Sequence, residues 1–304
     1  MATVSIENVE RAIYESSLYE FVKAAWRVLE PNNPFIDGEH IRVLCSTLER
    51  VTRRQLKNPG VIFNIPPGMS KTMIVAVCWP AWEWTQAPWL RYNVFSYAER
   101  LSKDSSRFRR TLIMSEWYSH LWPHVRITED NNQVMEFSST SAPGAMIASS
   151  VGGVATGRGG ERLIIDDSMN PKIAASDART EETQRWLRET LPSRIRNQGT
   201  GATVIIEQRL GLSDATSLGI ELGFEHVCLP MEFEPDHPYR SPLDWRTRPG
   251  ELLCEGRVNT EQLARIKRAM GSFAYETQYQ QRPGLRGGGL WKVAWFKQWR
   301  ALPT

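Results

Sequence analysis

The sequence predicts an α/β fold in which a mostly parallel sheet is flanked by helices. Short apolar runs rich in β-branched residues alternate with longer segments of helical periodicity, which is the pattern of strands joined by helical crossovers. Two of these runs end in residues suited to phosphate chemistry, namely a Lys-Thr pair after a Pro/Gly turn and a pair of adjacent aspartates. With 304 residues, of which 41% are hydrophobic and 23% charged, the chain can bury a large core.

Composition also bears on the class of protein. The net charge is only +3, so any nucleic-acid-binding surface must be local. The four cysteines are scattered singly, without the spacing of metal ligands, which predicts reduced thiols and a cytosolic chain. No run of about 18 apolar residues and no N-terminal apolar signal segment occurs, so we expect no membrane span.

The N-terminal region is predicted to be helical. Apolar residues recur at helical spacing over residues 5–29, and the prolines that follow close this helix. A second helix is predicted over residues 39–55, ending in basic and polar residues that include Arg54 and Gln55. Arg54 and Gln55 precede the next strand and are candidates to contact a nucleotide base; the alternative is a solvated helix end.

The next segment has the order strand, phosphate loop, helix. The strand begins at Val61, and the Lys-Thr pair opens a helix that we expect to stop at Pro80. Backbone N–H groups in such a loop face an anion. Lys71 would reach the β- and γ-phosphates, and the Thr72 hydroxyl would bind Mg²⁺. The candidate nucleotide-binding residues of the loop are Pro67, Gly68, Met69, Ser70, Lys71 and Thr72.

The match to the general pattern G-x-x-x-x-G-K-[ST] is incomplete. Ile65 and Ser70 stand where the two glycines belong, and Gly68 is the one glycine inside the loop. Taken alone, the segment is therefore compatible with a surface turn that caps a buried helix.

A strand over residues 91–97 and a helix over residues 98–115 follow. Four cations on this helix, at i, i+3, i+7 and i+10, form one stripe: Arg100, Lys103, Arg107 and Arg110. The stripe is either a solvated face or a contact for DNA phosphates. A hairpin is predicted next, with strands at 126–128 and 133–137 around a turn at 129–132.

A second apolar strand carries the other half of the predicted site. It ends in Asp166 and Asp167, at the edge of the sheet where α/β folds bind ligands. Asp166 would bind Mg²⁺, and Asp167 would orient or deprotonate the attacking water. Gln208, after a buried strand at residues 202–207, is placed to sense the γ-phosphate. A glycine-rich loop at residues 152–160 contains one cation, Arg158. Together the Lys-Thr loop and the aspartate pair predict a nucleotidase.

Three regions are expected along the chain. Residues 1–58 form an N-terminal helical segment, residues 59–230 the phosphate-loop core, and residues 231–304 a lid subdomain and linker. Within the core we predict a helix over residues 176–196 that is bent or ended by Pro192, and a strand over residues 224–229. The third region is rich in proline and contains a predicted helix over residues 259–279, followed by a hinge-like glycine segment.

In order and spacing, these motifs resemble the ATPase part of bacteriophage large terminases. The resemblance covers roughly residues 40–300 and includes PPGMSKT at 66–72, TGRGG at 156–160, LIIDD at 163–167, WLRETLPSR at 186–194, VIIEQR at 204–209, GELL at 250–253 and QYQQRP at 278–283. It implies an ASCE-type phosphate-loop NTPase fold that binds ATP and Mg²⁺.

The resemblance also implies roles for individual residues. Lys71 and Thr72 would bind phosphate and metal, and Asp166 the metal. Asp167 occupies a position where many relatives have a catalytic Glu. Arg158 resembles an arginine finger that one subunit of a ring supplies to its neighbour's ATP, and Gln208 matches the segment that couples hydrolysis to movement.

Partners and setting are implied in the same way. Large terminases bind double-stranded DNA, a portal protein and a small terminase subunit, form rings, and work in the bacterial cytoplasm while transiently docked on a procapsid. Their ATPase is followed by a metal-dependent nuclease, for which we find no acidic cluster near the end of this chain, so we expect no DNA cleavage by it. Two alternatives stay open: a helicase-like DNA-remodelling ATPase, and a DNA-binding or scaffold module that does not hydrolyse ATP.

Overall fold

A computed structural model describes residues 5–58, 60–153 and 159–284. Its centre is an eight-stranded sheet with the strand order β3-β4-β5-β2-β6-β7-β1-β8. The six strands from β5 to β8 in that order are parallel, and β3 and β4 are antiparallel additions at one edge. The strands are β1 (Gly60–Asn64), β2 (Arg91–Ser96), β3 (Ile127–Asn132), β4 (Glu136–Ser139), β5 (Ala145–Ser150), β6 (Arg162–Asp166), β7 (Ala202–Glu207) and β8 (Glu225–Cys228).

Helices cover both faces of this sheet. They are α1 (Ile6–Ser16), α2 (Leu18–Leu29), α3 (Glu39–Thr52), α4 (Trp79–Gln86), α5 (Glu99–Ile113), α6 (Glu116–Leu121), α7 (Asp177–Glu189), α8 (Ala215–Glu221), α9 (Thr260–Met270) and α10 (Ser272–Gln278). Ile164 packs with α2 to α5 in the larger core, whereas its strand neighbours Leu163 and Ile165 pack with α7 and α8. This alternation is what a parallel strand buried on both faces requires.

The predicted fold class is confirmed. One strand, β7, lies between β1, which leads into the Lys-Thr loop, and β6, which ends in the aspartate pair. The Lys-Thr loop and the aspartate pair therefore lie at the same edge of the sheet, with one strand between them. No helix in the described ranges is both long and apolar enough to cross a membrane.

The helix after the loop differs from its prediction, because it does not stop at Pro80. Its first part, Met73–Cys78, is π-helical, and α4 continues it with Pro80 in its first turn. Proline has no N–H, so the Ala76 carbonyl four residues earlier loses its α-helical donor. The buried guanidinium of Arg109 donates from Nη1 to that carbonyl at 2.5 Å instead. A partner from α5 thus satisfies the acceptor that proline leaves open.

Two predicted long helices are each split in two. The helix expected over residues 5–29 breaks at Ser17, which has an extended backbone and accepts the N–H of Glu20 as the N-cap of α2. The helix expected over residues 259–279 breaks at Gly271, whose φ of +74° ends α9. In both places a local capping signal outweighs the continuous apolar periodicity.

The hairpin is also placed differently. Strand β3 runs through the predicted turn, and the chain reverses between Asn132 and Glu136, where the Gln133 N–H donates to the Glu136 carbonyl at 2.9 Å. Strand β5, rich in alanine and serine, and the short helices α6 and α8 were not predicted, because their apolar patterns are too short to stand out.

A buried ion pair joins α4 to the sheet. The Arg162 guanidinium on β6 donates to the Glu83 carboxylate at 2.8 and 2.9 Å, and the hydroxyl of Tyr92 on β2 donates to the same carboxylate. Glu83 and Arg162 are only 2% and 4% exposed. Each charge therefore depends on the other, since a buried ion without a partner is strongly unfavourable.

We predict that Glu83→Gln lowers the free energy of unfolding by about 3 kcal/mol or more, because it leaves the buried Arg162 uncompensated. Urea unfolding at neutral pH would measure the change. The matched control is Glu221→Gln, which removes a carboxylate of similar geometry from the exposed pair with Arg188 and should leave the urea midpoint almost unchanged. Equal effects of the two substitutions would contradict the prediction.

Candidate functional site

The candidate site lies at the edge of the sheet where β1, β6 and β7 end. The loop after β1 contains two residues in the left-handed backbone region, Gly68 at φ +79° and Ser70 at φ +60°. Glycine adopts this conformation freely, but for serine it is strained. Ser70 thus has the kind of backbone conformation for which glycine is the usual residue.

Lys71 is the buried cation of the site, with an exposed fraction of 7%. Its ammonium donates to the side-chain carbonyl of Gln208 at the end of β7, and it lies 3.6 Å from Oδ1 of Asp167 after β6. The structure therefore brings together three residues that are far apart in the sequence and that were all predicted to belong to the site.

Thr72 and Asp166 form the second contact across the site. The Thr72 hydroxyl donates to Asp166 Oδ1 at 3.0 Å, and Asp166 is 5% exposed. Burial, and then the neighbouring Asp167 carboxylate, raise the pKa of Asp166 to about 7, against the lowering effects of Lys71 and Thr72. Burial likewise raises the pKa of Asp167, although the Lys71 ammonium opposes it. Two adjacent acids of this kind, one buried and one partly exposed, favour the binding of a further cation.

The donor atoms fit Mg²⁺ bound together with a nucleotide. Mg²⁺ is typically bound through one or two protein oxygens plus phosphate oxygens and waters, and Thr72 and Asp166 supply hard oxygen atoms at one point. Across the described ranges, no group of three or more His, Cys, Asp or Glu side chains could form a metal site made of protein alone. The oxygen pair therefore fits a metal that arrives with its phosphates.

Two predicted base-contacting residues lie elsewhere, which is a correction. Arg54 lines a cavity with residues 198–202 at the start of β7, which is the opposite edge of the sheet from the loop. Its φ of +56° and the bond from the Gln55 N–H to the Arg50 carbonyl show that Arg54 and Gln55 terminate α3. The basic residues there lie at the carbonyl end of a helix, where cations are favourable.

Arg158, the predicted arginine finger, lies outside the described residues. The remaining predicted loop residues, Pro67 and Met69, lie in the turn between β1 and Lys71.

The basic stripe on α5 is partly neutralised within its own helix, because Asp104 lies 3.9 Å from Arg100 and 3.5 Å from Arg107.

Sequence reasoning missed a buried polar network behind the site. The Glu207 carboxylate accepts the Ser168 hydroxyl at 2.7 Å and both the backbone N–H and the hydroxyl of Thr216, at 2.8 and 2.9 Å. Asn64 at the end of β1 donates to the Thr216 hydroxyl and to the Glu207 carbonyl. The network therefore ties the ends of β1 and β7 together. The network could have been suspected from the sequence, because the acidic Glu207 ends the otherwise apolar strand β7.

A second missed residue is Arg257, which reaches the loop from the C-terminal region. Its Nη1 donates to the Gly68 carbonyl at 3.3 Å. Nothing in the local sequence distinguishes this arginine from its neighbours, because the contact spans 189 positions of the chain.

The Glu207 network predicts a specific pH dependence of stability. Burial, and then the Asp214 carboxylate, raise the pKa of Glu207 from 4.5 to about 7. The folded protein then binds a proton that the unfolded chain releases, so this group's contribution to stability falls as pH rises from about 4.5 to about 7. Glu207→Gln, which can keep most of the hydrogen bonds, should remove this loss.

Relative to the wild type, the free energy of unfolding of Glu207→Gln should increase by roughly 2 kcal/mol between pH 5 and pH 8. Urea unfolding of both proteins at the two pH values measures this difference. The exposed Glu255→Gln should follow the wild type at both. A difference between Glu207→Gln and wild type that is the same at pH 5 and pH 8 would contradict the prediction.

Comparison with known proteins gives a structural likeness without a match in sequence. No protein-family model matches the chain, and no curated protein matches it. The structure resembles that of the large terminase of bacteriophage HK97 with a TM-score of 0.52 and 12% identity, over 88% of this chain and 55% of that chain. At this identity the likeness establishes the fold.

Two structures of the large terminase from a thermophilic bacteriophage are more distant. The complex with ADP has a TM-score of 0.46 and 9% identity, and the complex with ATP-gamma-S has 0.44 and 10%. Both likenesses extend over 77% of this chain. They cover 52% of the terminase chain in the ADP complex and 51% in the ATP-gamma-S complex. The chain thus spans about half the length of these proteins. All three structures are of bacteriophage large terminases, the family that the sequence motifs resemble.

Proposed function

We propose that this chain is the ATP-hydrolysing motor domain of a bacteriophage large terminase, which drives double-stranded DNA into a procapsid. The observation that carries the proposal is the convergence of Lys71 and Thr72 with Asp166, Asp167 and Gln208 at one edge of the sheet. The fold shared with the HK97 large terminase supports it. Neither a surface turn nor a simple helix cap needs a buried lysine facing two acids.

In this proposal the residues stabilise in-line attack of water on the γ-phosphate. The nucleotide phosphates replace Gln208 and Asp167 as partners of the Lys71 ammonium, which leaves the Asp167 carboxylate free to orient the water or accept its proton. Thr72 and Asp166 would hold Mg²⁺, which would supply positive charge to neutralise the phosphates. Gln208, released from Lys71, senses whether the γ-phosphate is present.

The partners and the setting belong to the same proposal. They are double-stranded DNA, a portal protein and a small terminase subunit, with the motor assembled as a ring that docks transiently on a procapsid in the bacterial cytoplasm. The strained Ser70 favours one competing function, a DNA-binding or scaffold module that binds nucleotide without turnover. A helicase-like ATPase would share the site, so stimulation by DNA alone does not separate it from a packaging motor.

We expect Lys71→Ala to lower the ATPase rate by roughly 10²–10³-fold, because it removes a cation positioned for the charge that develops on the phosphates. Phosphate release with Mg²⁺, with and without double-stranded DNA, measures the rate. Lys57→Ala is the matched control, since Lys57 is exposed and lines a cavity at the opposite edge of the sheet.

A rate that is independent of Lys71 would overturn the ATPase proposal. Tight ATP binding by the wild type with no turnover at any protein concentration would favour the non-hydrolysing module.

If Arg158 is an arginine finger supplied by a neighbouring subunit, turnover should rise faster than linearly with protein concentration. Arg158→Ala should then lower the rate by roughly 10³–10⁵-fold. Mixing Arg158→Ala with Lys71→Ala gives the sharper measurement, because a mixed pair of subunits contains one complete site and should regain activity.

The exposed Arg248→Ala should behave as wild type in the same assay. Linear turnover that Arg158→Ala does not change, together with no recovery on mixing, would rule out the contribution from a neighbour.

A further inference from the structure

Arg257 contacts the phosphate loop from the segment just before α9. Its Nη1 donates to the Gly68 carbonyl, and its guanidinium lies 5.8 Å from the centre of the Trp26 ring. The other two guanidinium nitrogens, Nε and Nη2, are buried and make no hydrogen bond within the described ranges. Among the same residues, no carboxylate forms an ion pair with Arg257. Burial lowers the pKa of Arg257. Burying a charged group with two unpaired N–H donors is energetically unfavourable, which suggests that Arg257 has a functional role.

The loop that Arg257 contacts is strained. Ser70 has a φ of +60°, which for a residue other than glycine costs on the order of 1–3 kcal/mol and persists only where the surroundings enforce it. Lys71 and Thr72 fix the end of the loop through Gln208 and Asp166. Arg257 fixes its other half, two residues before Ser70. Gly68 itself gives no support from a side chain, and a Cβ there would meet open space.

The geometry of the peptide bond shows what this contact does. The Gly68 carbonyl and the Met69 N–H belong to one trans peptide, so they point in opposite directions. A donor that binds the carbonyl therefore turns the Met69 N–H away from Arg257. In a phosphate loop the backbone N–H groups face the anion.

We propose that Arg257 is a positioning residue of the nucleotide site: it binds the Gly68 carbonyl, directs the Met69 N–H toward the phosphate chain, and maintains a loop conformation that Ser70 disfavours. The inference rests on the proposed function, since it presumes that the loop binds a nucleoside diphosphate or triphosphate. It assigns to the C-terminal region a part in nucleotide binding.

Equilibrium binding of fluorescent ADP to the full chain tests the proposal, with melting temperature measured in parallel. Arg257→Ala should weaken ADP binding about tenfold to a hundredfold. Ser70→Gly in the same chain should restore most of the loss, because glycine adopts the left-handed conformation without support. Arg257→Lys, which keeps one donor, should bind with intermediate affinity.

The matched control is Arg265→Ala on α9, an exposed arginine 3.9 Å from Glu261, which should bind ADP as the wild type does. Wild-type affinity in Arg257→Ala would overturn the proposal. So would a loss that Ser70→Gly does not repair, because Arg257 would then bind the phosphates directly. If the wild type itself fails to bind ADP, the proposed function fails and this inference with it, which the wild-type titration shows by itself.

Discussion

The site depends on the neutralisation of one buried ammonium group. Burying an unpaired lysine costs several kcal/mol, so Lys71 can lie where it does only with polar partners around it. The ends of β6 and β7 supply these partners, Asp167 and Gln208. Strand β7 stands next to β1 in the sheet, and β6 next to β7, so the loop after β1 opens directly onto both strand ends. The strand order is therefore a condition of the chemistry.

The acidic groups at this edge of the sheet favour a bound cation. Asp166 is buried and the adjacent Asp167 is partly exposed. Loss of water contact raises the pKa of both carboxyl groups, and the Lys71 ammonium is the main cation that lowers them. Arg109, behind the loop helix, also lowers the pKa of Asp166, but its contact is with the Ala76 carbonyl. A divalent cation would stabilise both carboxylates, and a polyphosphate would then balance Lys71 and the metal. In the proposed function, the charges of the site would therefore favour the metal and the polyphosphate together over either one alone.

The sequence was sufficient for the parts of the site that follow directly from strand ends. The Lys-Thr loop, the aspartate pair and Gln208 each come directly after an apolar strand, and parallel strands end at one edge, so their meeting could be predicted. Arg54 could have been excluded by the same rule, because a residue just before β1 lies at the start of the strand and the loop at its end. Strand β5 escaped prediction because alanine and serine give it little apolar contrast, although β2 and β4 both pair with it.

What could not be predicted is how the loop acquires its shape. In the general pattern a glycine before the lysine lets the loop adopt its conformation unaided, whereas here Ser70 must be kept in a left-handed conformation by contacts elsewhere. The contacts come from positions 94, 137 and 189 residues away, through Asp166, Gln208 and Arg257. A loop supported in this way is sensitive to movement of the strand ends and of the C-terminal region. Because coupling free energies are reciprocal, any nucleotide that favours this loop conformation must in turn strengthen the contact between Arg257 and the Gly68 carbonyl.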